Sequence, residues 1–98
     1  MANDQSLLAK IKNNLRISHS ELDDDLNDTI AACLEDLKVC GVQTVEIDSL
    51  ILNAVKLYCR KEYTDDTGKA AEYQKRYDAL KSCLMMASKY RVEAASDE

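Results

Sequence analysis

The sequence predicts an all-α protein: a compact bundle of four helices around a central apolar third helix, with short loops and no sheet. Three observations carry this prediction. The chain of 98 residues has no proline and only two glycines, so helix breakers and hairpin turn residues are scarce. Apolar residues recur at helical spacing in four separate stretches. One of these, Ser49 to Tyr63 (SLILNAVKLYCRKEY), is apolar around most of its circumference, and such a helix must be covered on more than one side.

The first helix is expected from about Asp4 to Arg16. Leu7, Leu8, Ile11 and Leu15 form its apolar stripe, and Lys10, Lys12 and Asn13 face away. Ser18 and Glu21 then match a capping box, in which the serine hydroxyl and the glutamate carboxylate satisfy each other's free amides. Ile17 and Leu22 match the hydrophobic staple around it. The second helix should run to Cys40, with Leu22, Leu26, Ile30, Cys33, Leu34 and Leu37 inward and Asp23, Asp24, Asp28, Glu35 and Asp36 outward. Its acidic start suits the positive end of the helix dipole. Gly41 is placed to end it, and Val42 to Ile47 reads as an extended connection without a strand partner.

Asp48 is the expected N-cap of the third helix, with Ile47 and Leu52 in the staple positions. A polar loop, Thr64 to Gly68, leads into a fourth helix ending at about Tyr90. There Tyr73, Tyr77, Leu80, Leu84 and Ala87 make one seam, and Ala79, Cys83, Met86 and Tyr90 make a second row beside it. The two rows form an apolar arc wider than a small core requires, which implies deep burial or a partner surface. Residues 1–91 are thus read as a single domain and residues 92–98 as a flexible charged tail.

Charge is unevenly distributed. From Ser18 to Asp48 there are nine acids and one base, Lys38; from Ser49 to Glu98 there are eight acids and nine bases. Binding of nucleic acid by the acidic middle is disfavoured, because phosphate neutralisation needs clustered Lys and Arg. No apolar run approaches the roughly 20 residues that span a bilayer, and no signal-peptide core is present, so a soluble protein without a membrane partner is expected.

Catalytic chemistry finds no foothold. His19 stands alone between two serines at a helix start, with no second residue of a triad assignable to it. There is no phosphate-cradling glycine loop, no zinc-protease motif and no EF-hand, since no glycine precedes Gly41. The four cysteines form no C-x-x-C pair and read as small buried thiols, so neither a metal nor any other cofactor is expected. Asp48-Ser49-Leu50 at a helix start resembles the attachment motif of acyl carrier proteins, which would put a phosphopantetheine arm on Ser49. An aspartate cap followed by a first-turn serine explains the same three residues.

A broader resemblance spans residues about 5 to 91. Leu15-Arg16-Ile17, the acidic Glu21-Leu22-Asp23-Asp24-Asp25-Leu26, Ala54-Val55-Lys56-Leu57-Tyr58, and the stretch from Tyr73 to Lys81 (YQKRYDALK) together resemble the head-tail connector family of tailed phages and prophages. Glu62-Tyr63-Thr64-Asp65 stands where family members often carry an aromatic-glycine pair.

The resemblance implies a non-enzymatic virion protein made in the bacterial cytoplasm. It would assemble as a homo-oligomeric ring beneath the portal and extend the DNA channel without sequence-specific binding. The implied partners are further copies of the chain, the portal protein and a further head-closure or tail protein. In a ring, one face of each subunit meets a different face of the next. Asp24, Asp28, Glu35 or Asp36 is therefore expected to approach Lys75, Arg76 or Lys81 of a neighbour. Met86, Tyr90 and Arg91 are expected at the portal, as the start of a segment that orders on docking.

Overall fold

A computed structural model describes residues 2–91, with side chains from Leu7 onward. The expected tail over residues 92–98 lies outside the described residues. Four α-helices follow one another: α1 (Ala2–Leu15), α2 (Asp23–Val39), α3 (Ser49–Tyr63) and α4 (Thr67–Met86), with a 3-10 turn, Ser88–Tyr90, after α4. There is no strand among the described residues. A single antiparallel bridge joins Val42 to Arg91 and supplies the partner that the 42–47 connection was expected to lack.

Helix α3 packs against α1, α2 and α4. Its Ile51, Ala54, Val55 and Cys59 are fully buried, together with Ile11 of α1, Leu26, Cys33 and Leu37 of α2, and Val42. Each large aliphatic side chain removed from water in this way contributes about 1.5–3 kcal/mol. The start of α3 follows directly from its sequence. Asp48 Oδ1 accepts from the amides of Leu50 (3.1 Å) and Ile51 (3.0 Å), satisfying two donors that have no carbonyl partner within the helix. Ile47 and Leu52 pack against the core on either side of it.

Two helices end in the same way. At Gly41 (φ 90°) the amides of Gly41 and Val42 turn back to the carbonyls of Lys38 and Leu37, a Schellman motif that buries Val42 completely. At Arg16 (φ 62°) the amides of Arg16 and Ile17 return to Asn13 and Lys12 in the same pattern. Arginine occupies the left-handed position there, against the steric preference for glycine.

The start of α2 differs from expectation. Leu22 is the N-cap residue and provides no side-chain cap, and the Ser18–Glu21 box does not form. Instead the Glu21 amide donates to His19 Nδ1 (3.3 Å), and the first turn is anchored by Lys12 Nζ, 2.7 Å from Asp23 Oδ1. Helix α4 is shorter than expected, because the chain becomes extended at Ala87 (ψ 122°). That bend turns Tyr90 back into the core, where it is 4% exposed.

Candidate functional site

The polar chemistry lies in three places between the helices and in two exposed rows. Between α2 and α4, Tyr77 is buried and its hydroxyl donates to Asp36 Oδ2 (2.7 Å), while Lys81 Nζ reaches the same oxygen (3.0 Å). The Cys33 thiol donates to the Tyr77 hydroxyl (3.7 Å), and the Tyr58 ring meets the Tyr77 ring edge-on at 5.3 Å. The Tyr77 and Lys81 hydrogen bonds hold the Asp36 carboxyl below its usual range, although partial burial opposes them. Its bond to Asp36 raises Lys81. Burial, then the bond to Asp36, pushes Tyr77 far up. Burial is the largest influence taking the Cys59 thiol to about 12, with Cys33 and Glu62 adding to it, and burial likewise leads in taking Cys33 to the same value.

At the loop before α3, the second oxygen of Asp48 accepts a short hydrogen bond from the Tyr90 hydroxyl. Burial would raise the Asp48 carboxyl, but the Tyr90 hydroxyl and the two capping amides outweigh it and lower the pKa. The Gln43 amide donates to the Tyr90 carbonyl (2.7 Å) beside the Val42–Arg91 bridge. A cleft of about 650 Å³ opens over this junction, with Lys38, Val45, Lys89 and Arg91 on its walls. Val45 is 90% exposed there.

The third place is the corner where α1 ends, α3 ends and α4 begins. Arg60 of α3 donates from Nε to Asn14 Oδ1 (2.9 Å), from Nη2 to the Asn14 carbonyl (3.4 Å) and from Nη1 to the Tyr73 hydroxyl (3.2 Å). Its guanidinium also lies 5.7 Å from the centre of the Tyr73 ring. This clamp borders a cleft of about 360 Å³ that Arg16 and Lys69 also line. Sequence reading passed over the corner, because its members come from three helices and only the left-handed Arg16 marks it locally.

The residues singled out from sequence divide into groups. Asp24, Asp28 and Glu35 are exposed on α2 and form no ion pair among the described residues; Lys75 is exposed on α4. Arg76 is exposed and bonded to Glu72 one turn away (2.9 Å). Asp36 and Lys81, expected to meet across neighbouring subunits, meet within one chain, because α4 lies close enough to α2 for the lysine to reach it. Met86 is 79% exposed and Arg91 is exposed, whereas Tyr90, expected at a partner surface, is folded into this chain's own core. In the second apolar row of α4, Ala79, Cys83 and Met86 face solvent. Ser49 is exposed in the first turn of α3, beside an Asp48 whose two oxygens are both engaged.

No group of three or more His, Cys, Asp or Glu side chains among the described residues is placed to hold a metal ion. No helix of the described residues is long and apolar enough to cross a membrane. Fold and surface define a small helical bundle whose interior polar groups fasten helix to helix and whose unpaired charges point outward. The family of phage connector proteins matches residues 7–91, and the chain belongs to that family. Neither the curated proteins nor the solved structures contain a match to it.

Proposed function

We propose that the chain is a head-tail connector subunit, a non-catalytic virion component that forms a homo-oligomeric ring beneath the portal and extends the channel through which DNA passes. The observation that carries this reading is the family match over nearly the whole described chain. Two surface features support it. The exposed carboxylates Asp24, Asp28 and Glu35 give α2 a charged face suited to setting register between subunits. The exposed Met86 and Arg91 lie at and just after the end of α4, and they form the candidate portal contact together with the cleft over Tyr90. Carboxylates turned toward a channel would also repel DNA phosphates and keep the passing genome from sticking.

The test is reconstitution of the purified chain with the portal protein of the same phage, observed by negative-stain microscopy. A closed ring of added density on one face of the portal is the expected result. A chain that neither self-associates nor binds the portal at any ratio would rule the reading out.

A further inference from the structure

The cleft at the corner of α1, α3 and α4 carries an unbalanced charge. Arg16, Arg60 and Lys69 line it, no carboxylate does, and none of the three forms an ion pair among the described residues. Arg60 is fixed by Asn14 and Tyr73, which leaves part of its five-donor fork uncommitted. The same chain exposes an acid row with the opposite deficit. Asp24 and Asp28 lie on successive turns of α2 and Glu35 two turns further on, with the exposed Ala31 and Ala32 on the turn between. Small residues between the carboxylates allow a partner to approach closely. Helix α2 contributes no residue to the cleft lining, although its Asp25 reaches the rim through the Tyr63 hydroxyl.

We propose that the cleft receives the acid row of a second copy of this chain, with Asp24 and Asp28 of one subunit placed against Arg16, Arg60 and Lys69 of the next. The contact rests on the ring reading above and deepens it by naming the cations involved: those of the corner cleft, in place of the Lys75, Arg76 and Lys81 row. A contact between unlike faces propagates from subunit to subunit, as a ring requires. Duplex DNA is the poorer occupant. A cleft of about 360 Å³ with three cations matches a pair of side-chain carboxylates and falls short of the extended basic surface that a duplex backbone needs.

Two neutralised variants test the contact by sedimentation velocity at low salt. Asp24→Asn with Asp28→Asn removes the two row carboxylates placed in the contact and keeps the cleft. Arg16→Asn with Lys69→Gln removes two of the cleft's three cations and keeps the row, and asparagine suits the left-handed backbone at residue 16. Each variant alone should self-associate at least about tenfold more weakly than the parent, and an equimolar mixture should form a one-to-one dimer, since one intact contact remains per pair. Added salt should dissolve that dimer.

A parent that assembles while the Arg16→Asn, Lys69→Gln variant assembles equally well overturns this interface and leaves the ring reading standing. A parent that never self-associates, with or without portal, overturns both. A variant that loses DNA retention but keeps self-association would assign the cleft to phosphate and overturn the contact.

Discussion

Asp48 and Tyr90, 42 positions apart, share one carboxylate that does two jobs. Oδ1 caps α3, and Oδ2 accepts the Tyr90 hydroxyl and so fastens the end of the described chain to the start of α3.

Removing that carboxylate should therefore cost more than an ordinary cap. Asp48→Ala is expected to destabilise the protein by about 1–2 kcal/mol from the cap alone, with a further loss from the orphaned Tyr90 hydroxyl. Tyr90→Phe should destabilise less, because it leaves the cap in place. Urea denaturation of the two variants measures the order; equal losses would mean that the Tyr90 bond contributes most of the effect.

The Asp36–Tyr77–Lys81 cluster sets a pH dependence. The Asp36 pKa is lowered by folding, so its contribution is complete above the ordinary carboxylate value, near 3.9, and is lost as pH falls through the lower folded value. The Lys81 pKa is raised, so its contribution is complete below the ordinary lysine value, near 10.4, and is lost as pH rises through the higher folded value. Stability should be flat in between and fall at both extremes. Asp36→Asn should flatten the acid limb in a denaturation series against pH. At neutral pH, Tyr77→Phe should cost about 1.5–3 kcal/mol for the lost bond to a charged acceptor.

The thiols should separate by burial. Cys33 and Cys59 are fully buried with pKa values pushed to about 12, whereas Cys83 is exposed and Cys40 half-buried. A chromogenic disulfide reagent is expected to label Cys83 quickly, Cys40 more slowly, and the other two only after denaturant is added. Rapid labelling of all four in native buffer would contradict this packing.

Arg16→Gly should stabilise the monomer. Glycine relieves the left-handed strain, worth roughly 1–2 kcal/mol, but adds freedom to the unfolded chain worth roughly 0.5–1 kcal/mol. The expected net gain is between zero and about 1.5 kcal/mol, read as a higher denaturation midpoint. The same substitution removes a cleft cation, so self-association should weaken while the fold becomes firmer.

Ser18→Ala should leave stability unchanged within about 0.5 kcal/mol. The serine lies outside α2 and caps nothing, so a loss near the 1 kcal/mol typical of an N-cap would mean that the box forms after all.

What could be read from sequence was whatever depends on neighbours a few positions away. The bounds of α3, its Asp48 cap, the Gly41 terminator and the inward seam of Tyr73, Tyr77, Leu80, Leu84 and Ala87 are all local patterns, and all appear in the fold. What could not be read depends on distant pairings. Lys12 pairs with Asp23 where the capping box was expected; Lys81 reaches from α4 to Asp36 of α2; and the Tyr90 hydroxyl meets Asp48. The corner cleft is hidden for the same reason, since Arg16, Arg60 and Lys69 share no helix face until α1, α3 and α4 converge.

The Val42–Arg91 bridge also has a mechanical meaning. It joins with the Gln43 and Asp48 bonds to Tyr90 to clasp the chain just after α4 against the entry to α3. A pull applied beyond Arg91 would strain this clasp before it could unwind α4. Releasing the clasp would draw Tyr90 out of the core and open the entry to α3.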